Sequence, residues 1–408
     1  MNKLWTKNFT IITLGTVISM LGNAVSGFAL GVLVLDLTQS TFAFAIYMVI
    51  YNLPRLIVPM VAGTFLDRFS RIKVIYSLDF ISSILYAFVF IGLLNDFFNY
   101  PILLILASVI GIIDSVYQVA YDSLYPTLIS KGNFSKAYSI SSMIYPLAAL
   151  MTPIAAFIYE TIGLEILFLF NSISFFIAAI FETQIKAKEK HLENRVKHQK
   201  INVFKEDYKQ GIKYLFSEKG LLTITAFFFM SSLFQNSFTH TLELPFFKSS
   251  VGLGVVYYTV VSSANVFGRF VGGLLHYRFV FPNNVKFKIA MFVYTIICFL
   301  IGTYLFMPFP LMVAFNFLVG LFAVTSFNIR ISSTQAYVPN ELRGRFNGIF
   351  QTFTTFGMVV GQLIAGALGE VFDIRYIILF TNVITLIFTY LIVFRNRHHV
   401  SPIYNRSV

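Results

Sequence analysis

AGTFLDRFSRIK runs from Ala62 to Lys73, and long apolar stretches flank it on both sides. Its last seven residues, Asp67 to Lys73, hold one acid and three cations in a chain where only 12% of residues are charged. The apolar runs beside it, 41–66 and 74–95, each exceed the roughly 20 residues that a helix needs to cross a bilayer. The charged knot is therefore a short polar loop between two membrane spans.

Working outward, the same pattern repeats along the chain. Apolar runs fall at 9–35, 41–66, 74–95, 101–125, 137–161, 165–184, 220–246, 252–277, 287–306, 309–335, 346–370 and 375–394. Backbone groups in hydrocarbon must be satisfied within their own segment, so runs of this length read as helices. The expected fold is all-α and integral to the membrane, with twelve transmembrane helices. The composition agrees: 57% of residues are hydrophobic and 17% aromatic, and a soluble chain carries about twice this charge. The first run is too long for a signal-peptide core and shows no small-residue cleavage site, so it reads as an uncleaved span.

With the N-terminus in the cytoplasm, the inside segments hold most of the Lys and Arg, and the outside ones only Lys248 and Arg375. That bias sets an orientation with both termini cytoplasmic, in a bacterial cell membrane. It also accounts for the net charge of +12 through anionic lipid, which excludes nucleic acid as the partner. Cys298 is the single cysteine and lies in a span.

The longest polar stretch, 186–219, divides six spans from six. Val203, Phe204, Tyr208, Ile212, Leu215 and Phe216 recur there at helical spacing, as in an amphipathic helix on the inner leaflet. The boundaries expected are 1–185, 186–219, 220–396 and a cytoplasmic tail at 397–408. Asn23 and Asn236, Lys73 and Lys286, and Pro126 and Pro339 each differ by 213 positions, so the halves read as two pseudo-symmetric six-helix bundles.

The opening loop now resembles the signature of the major facilitator superfamily, with Gly63, Asp67, Arg68, Arg71 and Lys73 filling its pattern. LYPTLISKGNFSKAYSI, VPNELRGRFNGI and ISMLGNAVSGFALGVLVLDLTQS are similar to the branch of drug–proton antiporters that includes macrolide and siderophore exporters. The resemblance implies the major facilitator fold, alternating access and a central cavity lined by spans one, four, seven and ten. Asp67 at the end of span two faces the negative end of its own helix dipole and wants an external partner. Glu341, Arg343 and Arg345, where span eleven begins, are placed to supply a latch between the halves; the bland alternative is a topology signal alone. His276 stands where the second half would repeat the Asp.

Ionisable residues at membrane depth are functional candidates by default. Asp114 lies mid-span on a face with Ala107, Gly111, Gln118 and Asp122, and serves either as a proton carrier or as a fixed partner for an Arg such as Arg330. Asp79, less than two turns inside span three, is a candidate for gating or proton release. His240 and Glu243, about a turn apart, form a possible outer proton pair or a plain interfacial bond. Cavity candidates are Asn23, Ser26, Gln118, Asn236, Asn316 and Arg330. Arg55 and Arg269 read as structural intramembrane charges, and Glu182 as an acid snorkelling from the end of span six.

No enzyme motif, metal-ligand spacing or phosphate-binding loop appears, so no cofactor and no ATP are expected. The 48 Phe, 22 Tyr and 11 Met favour a repackable wall around a small amphipathic substrate. The expectation is a monomeric, proton-coupled exporter embedded in membrane lipid, with macrolide-like drugs as cargo. A lipid or siderophore exporter, a nutrient symporter and a transport-dead sensor are the alternatives, in that order.

Overall fold

The structure, a computed structural model, describes residues 4–66, 69–130, 133–187, 189, 201–250, 252–278 and 281–406. The described residues are almost wholly helical. The first compact unit, within residues 1–198, contains α1 (Lys7–Thr38), α2 (Thr41–Asn52), α3 (Pro54–Leu66), α4 (Arg71–Leu94), α5 (Tyr100–Leu128), α6 (Phe134–Ala149), α7 (Met151–Thr161) and α8 (Glu165–Glu182). The second, within 199–408, contains α9 (Ile201–Ser217), α10 (Lys219–Ser231), α11 (Ser237–Ser249), α12 (Val255–Arg278), α13 (Lys286–Thr303), α14 (Phe309–Tyr337), α15 (Asn340–Gly369), α16 (Ile374–Phe388) and α17 (Arg397–Tyr404).

Ten segments among the described residues are long and apolar enough to span a bilayer. The other two spans differ for local reasons. The fifth is two helices, α6 and α7, interrupted at Leu150 between Pro146 and Pro153, whose missing N–H groups interrupt the helical ladder. The eighth, α12, is diluted by polar residues such as Asn265 and Arg269. Together they make the twelve transmembrane helices of an all-α membrane fold, six in each bundle.

Local sequence sets the breaks. Ser40 caps α2 by accepting from the Ala43 amide at 3.0 Å, and Asn99 caps α5 by accepting from Ile102 at 3.1 Å. The second span is divided into α2 and α3 at Leu53, immediately before Pro54. The seventh and twelfth spans each contain a π-helical turn, Ser232–Asn236 and Thr389–Phe394. Outward side chains are large and apolar: Ile84 is 71% exposed and Ile105 67%, which fits acyl chains rather than water as the surrounding medium.

Lipid gives helices no hydrophobic drive to associate, so small residues carry the packing. An added Cβ at Gly320 on α14 would strike the Asn265 carbonyl of α12, and one at Gly22 on α1 would strike Asn171 of α8. The stretch after 397 is the helix α17, with Val400, Ile403 and Tyr404 buried in the second unit's core. Tyr404 and Tyr294 join hydroxyl to hydroxyl at 2.9 Å.

Candidate functional site

In the first unit the polar groups centre on Asp114. The Tyr51 hydroxyl donates to Asp114 Oδ2 at 2.6 Å. Arg55 Nη2 donates to the Tyr51 oxygen at 3.2 Å, and the guanidinium lies 5.0 Å from the centroid of the same ring. Tyr51 and Arg55, four residues apart, share one side of the span, and the absent side chain of Gly111 lets α5 approach the Tyr51 backbone. The result is a chain from guanidinium to phenol to carboxylate. Arg55, expected as a structural charge of unknown partner, is a member of this chain.

The expected stripe on α5 divides in two. Ala107 and Gly111 are buried in packing, while Asp114 is half-buried and Gln118 and Asp122 are exposed, with Gln118 donating to Asp122 at 2.9 Å. On α1 the stripe Gly15, Ser19, Gly22 and Ser26 is entirely buried, because these residues form the close-packed contact of α1 with α4 and α8. Ser26 is therefore a packing residue, corrected from cavity lining; Asn23 beside it is half-buried.

Asp79 is 1% exposed and accepts from Ser19 Oγ at 3.1 Å. Glu182 is 0% exposed, which corrects the snorkelling expectation. The last turn of α8 tucks inward against α1 at Gly15, where an added Cβ would lie 2.9 Å from Glu182 Oε1.

In the second unit, Glu243 is buried and accepts from Tyr304 at 3.0 Å, whereas His240 is exposed. Three residues apart on α11, the two share no hydrogen bond among the described contacts, because Glu243 turns to Tyr304. Asn316 is corrected as well: it is buried in the contact of α14 with α12, and its carbonyl accepts from Asn265 at 3.3 Å. Arg269 donates to Asn265 at 2.9 Å, and His276 shares a 2.8 Å hydrogen bond with Thr325. Asn236 is exposed. Arg330 is met by aromatic faces, its guanidinium carbon 4.5 Å from the centroid of Phe350, 5.2 Å from Phe228 and 5.4 Å from Phe327. Cation–π contacts of this kind hold a guanidinium without neutralising it.

Of the loop signature, Asp67 and Arg68 lie outside the described residues, as does the side chain of Glu341; Gly63 is within α3. Arg71 donates from its side chain to the Ser123 carbonyl at 3.1 Å, and Lys73 is exposed. The sequence had not singled out Glu189. Its carboxylate accepts from the Arg71 backbone at 2.7 Å and from the Ser70 hydroxyl, closing the positive end of α4. Arg343 bonds the Val338 carbonyl at 3.0 Å, and Arg345 donates to Gln210 of α9 at 2.7 Å, so α9 is fastened to the start of α15.

These helices define a polytopic membrane transporter fold. The Major Facilitator Superfamily profile matches residues 12–301 and 285–406, and the chain belongs to that family. It is 25% identical over 309 residues to an uncharacterized MFS-type transporter, YkuC of Bacillus subtilis (strain 168), covering 72% of this chain and 70% of the relative. Two solved structures share the fold at a TM-score of 0.69. They are the nucleoside transporter NupG, 13% identical, and a bacterial homologue of the iron transporter ferroportin in an inward-facing state, 14% identical. Each covers 95% of this chain and 99% of its own.

Proposed function

We propose that this transporter is a proton-driven exporter of amphipathic compounds, macrolide-like drugs among them, with Asp114 as the group that takes up and releases the coupling proton. The carrying observation is the chain from Arg55 through Tyr51 to Asp114. A phenol between an acid and a guanidinium offers the carboxylate a donor that can turn away, so Asp114 is poised rather than locked in an ion pair. The resemblance of the loops to drug–proton antiporters supports the same reading. So does the lysine and arginine bias, which places both termini and the 186–219 linker in the cytoplasm. The latch from Asp67 to the start of span eleven belongs to this proposal, as does action as a monomer in the cell membrane.

One observation favours a second reading. Arg330 sits among three phenyl rings, a setting that suits an amphiphile with an anionic headgroup, as in a lipid or siderophore exporter. Purified protein in liposomes under an imposed pH gradient, offered dyes, macrolides and lysolipids in turn, separates the two. Uptake of cationic and neutral drugs supports the first reading, and lysolipid movement abolished by Arg330→Gln supports the second. Cargo movement that ignores the gradient overturns proton coupling.

A further inference from the structure

The first bundle holds a second pair of acids that the Asp114 chain does not use. Asp79 on α4 and Glu182 on α8 are fully buried and meet one face of α1 a turn apart, Asp79 at Ser19 and Glu182 at Gly15. Around them stand Ser19 and Thr16 of α1 and Tyr117 and Tyr121 of α5, with Asp114 within electrostatic reach. No Lys, Arg or His faces the pair among the described contacts.

The protons can be counted. A carboxylate only accepts, so two neighbouring carboxyls can bond each other only when one of them carries an acid proton. Tyr117 donates to Glu182 Oε1 at 3.4 Å, and Glu182 Oε2, buried, has no hydrogen-bond partner. Ser19 Oγ lies 3.1 Å from Asp79 and 3.0 Å from the Gly15 carbonyl, and its single hydrogen serves one of them at a time. Two bare carboxylates in this dry contact, with no cation, would carry an uncompensated buried charge.

We infer that Asp79 and Glu182 are a proton-binding carboxyl pair, in which one shared proton fastens α1 to α4 and α8. Packing alone does not call for acids here. At shifts of 213 and 211 the second bundle has Phe292 and Val393 in their places, while Ser232 and Asn382 repeat Ser19 and Asn171. Loss of the proton sets two like charges against the Gly15 face of α1 and loosens that helix. Use of this proton in transport rests on the reading above; its presence does not.

The test uses full-length protein in lipid. Infrared spectra of the wild type at neutral pH should show a protonated-carboxyl band of one group's intensity that persists at a displaced frequency in Asp79→Asn and in Glu182→Gln, where the remaining dry acid keeps the proton, and that is lost in the double variant. Trp5, the single tryptophan, packs on Phe9 in the first turn of α1 with ring centroids 5.4 Å apart. In wild type alone, where no variant needs to fold, its emission should change over the pH range in which the band disappears. Three results overturn the inference: no variant-sensitive band, separate bands that add in the double variant, or emission that stays constant while the band is lost. A band displaced by sodium at fixed pH also overturns it, in favour of a metal cation. A confirmed shared proton in a protein whose cargo movement ignores pH leaves the pair standing and removes only the coupling proposal.

Discussion

Tyr51→Phe isolates the proposed coupling chain with little collateral change. The ring remains, so its contact with the Arg55 guanidinium survives and no cavity opens. Two hydrogen bonds disappear, the 2.6 Å bond to Asp114 and the 3.2 Å bond from Arg55. Arg55 is exposed and can find other polar partners, so the Asp114 bond dominates. A bond to a charged group contributes about 1.5–3 kcal/mol. At 1.36 kcal/mol per decade that is a loss of roughly 10- to 150-fold in any step that needs ionised Asp114. The assay is the initial rate of proton movement in dye-loaded liposomes after cargo is added, with cargo binding measured separately. Binding should persist while coupled flux falls by that factor. Tyr51→Phe combined with Asp114→Asn should be no slower than Asp114→Asn alone. Wild-type flux in Tyr51→Phe, or an additive double variant, would refute the chain.

Two further outcomes follow from the loops. Glu189→Ala removes the acceptor of the Arg71 amide and the Ser70 hydroxyl at the start of α4; it should destabilise the protein by about 1 kcal/mol, the usual cost of a lost helix cap, read as a lower melting temperature than that of Glu189→Gln. Asp373 caps α16 through the Arg375 amide at 2.9 Å, and the Arg375 guanidinium beside it holds its carboxyl below the usual aspartate range. A depressed acid stabilises the fold above the ordinary aspartate value of about 4 and loses that contribution as pH falls through its lowered one. The wild type should therefore lose thermal stability on acidification through that window, by a small and salt-sensitive amount because the pair is exposed, while Asp373→Asn stays flat; equal slopes would reject the assignment.

The spans were legible because a bilayer imposes length and apolarity directly on sequence, and Asp114 was legible because an acid stands out in the middle of such a run. Its partners were half legible: Tyr51 and Arg55 are one turn apart, but nothing local says that Tyr51 meets α5 at Asp114. The role of Glu182 was hidden. As the last residue of α8, beside a basic segment, it looked like an acid reaching for headgroups, and only Gly15, 167 positions earlier, makes room for it. The Gly–Ser stripe of α1 was visible, yet small residues can line a cavity or admit a neighbouring helix, and the sequence does not distinguish the two. Glu243 was paired on paper with His240 because they are close in sequence, whereas its partner, Tyr304, is 61 positions away.

The central claim is that this family member moves cargo against protons through Asp114. The direct measurement is proton flux triggered by cargo in sealed liposomes without a preset gradient, comparing wild type with Asp114→Asn. The account predicts cargo-dependent acidity changes in the wild type and none in the variant, with binding retained. Equal proton movement in both would contradict it.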